Sequence, residues 1–208
     1  QALKAAQKYP QDFDGIVAGA PALNATGRAA FSVWVAQNDH KSEETYLPQA
    51  KFGLVHEGAL QACDSNDGVK DGVIENPKQC KFDPKVLQCS AGDAGTCLTA
   101  AQVETTRMMY RPLVNTRTKQ QIFTGLEPGS EMGWNTFGGQ QPFAIGTQMF
   151  QFMVFNDPKW DYKTLNFDSD MAKVDKIEGG NINAMDPNLK AFFARGGKLI
   201  HYHGWADP

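Results

Sequence analysis

The sequence predicts an α/β fold in which helix–strand units at the two ends share a parallel sheet and a large insertion separates them. Three observations carry that expectation. The chain opens as helix, turn and short apolar strand, and it closes the same way. The stretch from 23 to 187 instead shows helical apolar spacing broken by loops rich in Gly, Asp, Asn and Pro. Helix and strand alternating at both ends is the pattern of a parallel sheet, and the middle does not continue it.

At the start, Gln1 to Tyr9 are strong helix formers and Pro10 stops them. Ile16-Val17-Ala18, bounded by Gly15 and Gly19, reads as a strand buried on both faces. Ala25 to Ala36 and Pro48 to Ala62 have helical spacing. Thr99-Ala-Ala-Gln102 is a capping box that opens a further helix, hydroxyl and amide each satisfying a free backbone N–H. Near the end, Leu189 to Arg195 reads as a short helix, Gly196-Gly197 as its stop and Lys198 to Tyr202 as a strand. The aromatic run Phe143, Phe150, Phe152, Phe155 and Trp160 reads as core of the insertion rather than as a substrate platform. With a helix in progress at residue 1 and a strand just before residue 208, the chain is expected to be an internal segment of a longer protein.

The 208 residues include 20 basic and 23 acidic side chains, a formal net charge of −3. That balance gives no electrostatic footprint for nucleic acid, and no apolar run is long enough to span a membrane. Eleven per cent aromatics argue against disorder. Four cysteines, Cys63, Cys80, Cys89 and Cys97, lie in one short window without a Cys-x-x-Cys pair suited to zinc. Two local disulfides, and so an oxidising compartment, are the better reading. Three pairings are open, of which the sequential one closes the shortest loops.

The segment Cys63-Asp64-Ser65-Asn66-Asp67-Gly68-Val69-Lys70-Asp71-Gly72-Val73 crowds three carboxylates that repel one another unless a cation neutralises them. Calcium prefers six to eight hard oxygen ligands, and two glycines allow carbonyls to join the carboxylates. The EF-hand pattern is only partly met, because Lys78 stands where its closing Glu belongs. The segment is therefore expected to be a structural calcium loop of another type. At the other end, Asp207 follows a parallel strand at its carboxyl end, where α/β enzymes assemble their sites and α/β-hydrolases carry a triad acid. Such an acid orients an imidazole and needs to be buried and rigid. Alternation points His201 and His203 to one face of the strand, as satisfied core histidines. No Gly-x-Ser-x-Gly occurs, so Ser130 and the other serines lack the context of a nucleophile. Asn24-Ala25-Thr26 matches an N-glycosylation acceptor.

These residues resemble the tannase/feruloyl esterase family. The resemblance rests on Gln1 to Pro10 with Asp12-Phe13-Asp14-Gly15-Ile16-Val17-Ala18-Gly19-Ala20-Pro21, on Phe155-Asn156-Asp157-Pro158-Lys159-Trp160, and on Gly196 to Pro208. It implies α/β-hydrolase core elements at 1–22 and 188–208 and a lid domain at 23–187. It implies a structural Ca²⁺ held by the side chains of Asp64, Asp67 and Asp71 and the carbonyls of Val69 and Val73. The sequential disulfides Cys63–Cys80 and Cys89–Cys97 agree with the family's bridges, and Asp207 would be the triad acid. The family's nucleophile lies in a Gly-Cys-Ser-x-Gly-Gly segment before residue 1, and its catalytic His lies after residue 208. The chain alone is thus expected to be inactive.

The function this implies is that of a secreted or periplasmic serine carboxylesterase. Its substrate would be a small aromatic ester, a hydroxycinnamate, gallate or related ester, including plant cell-wall derived ones. Neither nucleic acid nor membrane is an expected partner. The rival reading is a non-catalytic, calcium-stabilised binding module for plant polysaccharide or phenolics.

Overall fold

A computed structural model describes residues 1–207 of the chain. Helix α1 (Ala2–Lys8) buries Leu3 and Ala6 and gives way to strand β1 (Gly15–Gly19). Far along the chain, a short helix Lys190–Ala194 leads through Gly196, at φ +90°, into the strand Lys198–Tyr202. The second glycine of that turn, Gly197, sits so close to Phe192 that a Cβ would lie 2.7 Å from its carbonyl oxygen. The two strands pair in parallel, Ile16 opposite Leu199 and Ala18 opposite His201. Ile16, Ala6 and Phe192 form a small cluster of their own, with Leu199 and Leu189 packed against it.

Burial on both faces is not what β1 shows. The pleat sends Ile16 and Ala18 inward, whereas Val17 is 64 % exposed, as are most of Ile200 and Tyr202. Both helices of this unit pack on the Ile16 side, so among the described residues nothing covers the other face of the strand pair. The expectation of core histidines is not met either: His201, opposite buried Ala18, is exposed, and so is His203, one residue past the strand.

Between these ends lies a helical body with its own core. Helix α2 (Ala25–Asp39) is capped by Asn24, whose side chain accepts the Gly27 N–H at 3.0 Å. Phe31, Val33 and Val35 are fully buried along it, so the helix runs through the core rather than over it. Helix α3 (Phe52–Cys63) follows a single 3₁₀ turn, and helix α4 (Ala100–Tyr110) begins with the expected capping box of Thr99 and Gln102. A small antiparallel pair, β2 (Leu113–Val114) with β3 (Gln121–Phe123), has no counterpart in the sequence expectations. Its turn is held by the Asn115 side chain, which accepts the N–H groups of Arg117 and Thr118. Helix α5 (Ala144–Gln148), a π-helical turn at Met149–Val154 and helix α6 (Asp170–Glu178) complete the body; the terminal elements Lys190–Ala194 and Lys198–Tyr202 are α7 and β4.

Trp134, Phe31, Phe52, Phe137 and Phe150 fill the centre of the body at 2 % exposure or less. Phe150, Phe155 and Trp160 stack on one another, as expected of core aromatics, but Phe152 points outward from the π-helical turn and is largely exposed. Both disulfides form in sequential order, Cys63–Cys80 and Cys89–Cys97. Closing the longer loop, Cys63–Cys80 with a sequence separation of 17, stabilises by about 3 kcal/mol on the chain-entropy model, and the shorter one by somewhat less. The Asn24 sequon is engaged in structure: besides capping α2, its amide Nδ2 donates to the Ile122 carbonyl at 2.9 Å.

Candidate active site

The carboxyl ends of β1 and β4 lie side by side, because the strands run parallel and in register. The Ala20 N–H donates to the Tyr202 carbonyl at 2.8 Å, which fixes the start of one loop to the end of the other strand. Ala20 takes φ +42°, an unusual conformation for a residue with a Cβ. Beyond Tyr202 the chain turns through His203-Gly204-Trp205, and the Asp207 N–H returns to the Gly204 carbonyl at 3.2 Å.

A cavity of about 690 Å³ opens over this edge. The sheet unit supplies His203, Trp205 and Asp207 to it, with the turn Ala20–Asn24 alongside. The helical body supplies the opposite lining: Arg28 from α2, Lys78, the segment Gln121–Glu127, Ser130 and Met185. Asp207 therefore stands at a cleft between the two parts, where a parallel-sheet enzyme places its chemistry. Its side chain is 47 % exposed, and His203 Nε2 lies 3.6 Å from Oδ2, within ion-pair range once the imidazole is protonated. Within the described residues this carboxylate is half-exposed, on a turn beyond the strand end.

The wall opposite is rigid for identifiable reasons. Gly125 passes directly under Tyr110, where a Cβ would fall 2.1 Å from the carbonyl oxygen. Glu131, fully buried, accepts hydrogen bonds from Tyr110 Oη at 2.6 Å and from the Gly129 N–H at 2.8 Å; its other oxygen lies 2.8 Å from His56 Nδ1. Burial, and then the Glu131 charge, push the Tyr110 phenol well above its ordinary range. Ser130, dismissed as a nucleophile on sequence grounds, is fully committed: its Oγ donates to the Glu127 carbonyl at 2.6 Å and accepts from Trp134 Nε1 at 3.0 Å.

The acidic loop 64–73 lies elsewhere on the body, behind this wall. Asp64 is buried and its carboxylate accepts the N–H groups of Asp71 and Gly72. Asp67 and Asp71 each accept the N–H two residues on, from Val69 and Val73. Gly68 and Gly72 both take positive φ, at +93° and +82°. An all-oxygen donor set on a loop that turns twice fits calcium in its chemistry. In this arrangement each carboxylate is held by backbone N–H groups, and among the described residues no three Asp, Glu, His or Cys side chains gather round a common point.

Sequence reasoning located the Asp207 loop and missed the wall facing it. Ile122 to Glu127 carries no motif beyond the Thr124-Gly125 punctuation. A fully buried Glu131 is invisible in a sequence, where glutamate ordinarily reads as surface.

A carboxylate past a parallel strand, over a cleft closed by a helical body, defines an α/β protein with an enzyme-like site. The family model described as tannase and feruloyl esterase matches residues 1–208, and the chain belongs to that family. An uncharacterized esterase from Xanthomonas campestris is 36 % identical over the whole chain, which covers 39 % of that relative. Feruloyl esterase C from Talaromyces stipitatus is 37 % identical, again over the whole chain and 39 % of its own length. The crystal structure of feruloyl esterase B from Aspergillus oryzae superposes with a TM-score of 0.92 at 32 % identity, covering 99 % of this chain and 42 % of that one. The chain thus spans about two fifths of the length of the curated relatives it matches.

Proposed function

We propose that this chain is the lid and part of the catalytic core of a secreted serine carboxylesterase acting on small aromatic esters, with Asp207 as the acid of a Ser-Asp-His triad. The observation that carries the reading is the cleft that joins the Asp207 loop to the helical body, in a chain of the tannase and feruloyl esterase family. In this reading 1–22 and 188–208 belong to an α/β-hydrolase core and 23–187 is its lid. The nucleophile and the imidazole would come from parts of the full-length protein outside these 208 residues, which hold no Gly-x-Ser-x-Gly. Asp207 would accept the imidazole N–H, fix its tautomer and stabilise the imidazolium formed as the serine attacks. The lid wall would exclude water and bury the aromatic group. Two disulfides support secretion, and no helix among the described residues is long and apolar enough to cross a membrane.

The test is a panel of methyl gallate, methyl ferulate and a terephthalate monoester, offered to the full-length protein. Hydrolysis of at least one aromatic ester is expected; binding without turnover of any would favour the non-catalytic module. Asp64, Asp67 and Asp71, with the carbonyls of Val69 and Val73, would hold a calcium ion that cross-links the loop and performs no chemistry. Chelation with EGTA should therefore lower the melting temperature by several degrees, and calcium should restore it. A melting curve indifferent to both would remove the metal from the reading.

A further inference from the structure

One feature of the cleft wall serves neither the triad nor the lid core: an ion pair between Lys78 and Glu127, both of which line the cavity. We infer that this pair recognises a free phenolic hydroxyl on the aromatic acid of the substrate, an inference that rests on the aromatic-esterase reading.

The chemistry of the pair selects its ligand. Lys78 Nζ meets Glu127 Oε1, while Oε2 has no hydrogen-bond partner among the described residues. An ammonium with protons to spare and a carboxylate with a free oxygen present a donor and an acceptor side by side. An anionic group would be repelled by Glu127 and a cationic one by Lys78. A neutral hydroxyl satisfies both, donating its proton to Glu127 and accepting one from Lys78. The neighbouring lining, Ile122, Phe123 and Leu126, is apolar and suits the flat ring that carries such a hydroxyl. Ser130, the nearby hydroxyl that could compete for this role, has its proton committed to the Glu127 carbonyl and accepts from Trp134.

Glu127 is the fixed member of the pair, and the Lys78 side chain, 58 % exposed, reaches it from an anchored stretch of backbone. Lys78 lies two residues before Cys80, at the end of the loop that the Cys63–Cys80 bridge closes. Glu127, 81 % shielded, begins the turn in which Ser130 Oγ grips its carbonyl and buried Glu131 grips the Gly129 N–H. Ile74, at the exit of the acidic loop, packs on Gly129 from behind.

A site built to hydrogen-bond a substrate hydroxyl discriminates strongly against the analogue that lacks it. The experiment compares methyl 4-hydroxycinnamate with methyl 4-methoxycinnamate in the full-length protein, as wild type and as Lys78→Met and Glu127→Gln. Wild type should favour the hydroxy ester, and each variant should lose about 10- to 100-fold in kcat/KM for it, mainly through KM. The methoxy ester should change less than about 3-fold, and melting temperatures should hold. Equal losses on both esters, or no loss on either, overturn the inference. If wild type hydrolyses neither ester nor any member of the gallate, ferulate and terephthalate panel, the esterase reading fails on its own. Calorimetric binding of the two esters then decides the pair: a preference for the hydroxy compound abolished by Glu127→Gln upholds it, and no preference overturns it.

Discussion

The two parts of this molecule bury their residues in different ways. The helical body encloses five large aromatics almost completely and carries both disulfides. The sheet unit covers one face of a two-stranded pair with α1 and α7 and leaves Val17, Ile200 and Tyr202 more than half exposed on the other. Its charged contact, Arg195 with Asp14, lies at the surface, whereas the body holds Glu131 and Asp39 at zero exposure. The body therefore has the means to set its own stability. The sheet unit contributes position: it brings Asp207 and the Ala20 turn to one edge of the cleft.

That contrast can be broken by substitution. Phe31→Ala, at the point where Trp34, Phe123 and Phe137 meet, should destabilise by about 3–5 kcal/mol through lost burial and the cavity left behind. In the same 208-residue chain, Val17→Ser on the sheet face left open within these residues should stay within about 0.5 kcal/mol. Chemical denaturation of both variants reads the difference, and equal costs would show that the two parts share one stabilising core.

A smaller effect sharpens the picture inside the body. Asp39 ends α2 with Oδ1 accepting the Leu47 N–H at 2.8 Å, while Oδ2 is buried without a hydrogen-bond partner and lies 3.6 Å from His40 Nε2. Burial pushes this carboxyl up to about 7, only partly opposed by the Leu47 hydrogen bond. An unfolded aspartate titrates near 4. Between those values the folded chain keeps a proton that the unfolded chain has released, so Asp39 supports folding at low pH and that support drains away as pH rises towards 7. Asp39→Asn should then stabilise the protein at pH 8 by on the order of 2–4 kcal/mol and change it little at pH 4. A gap between variant and wild type that does not depend on pH would contradict this burial argument.

How far the sequence reached follows the same division. The helices and strands at the ends were legible because local signals write them: a run of helix formers before Pro10, glycines around Ile16 to Ala18, a double glycine before Lys198. The capping box at Thr99 was legible for the same reason. Exposure was not, because alternation along β1 and β4 cannot say whether anything lies against the second face. Neither was the cleft. Asn24 reaches Ile122 and Lys78 reaches Glu127 across long stretches of chain, through single side-chain contacts that leave no periodic trace. Asp39 and Glu131 escaped notice because their burial depends on tertiary neighbours.

The measurement that bears most directly on the central reading is turnover of an aromatic ester by the full-length protein carrying Asp207→Asn. The substitution keeps the shape of a half-exposed side chain on a surface turn and removes its charge. If Asp207 orients the catalytic imidazole, kcat should fall by about 10³- to 10⁴-fold while the melting temperature moves by no more than about 2 °C. Turnover within about 10-fold of wild type would contradict that role and leave the loop after β4 as a wall of the cleft and nothing more.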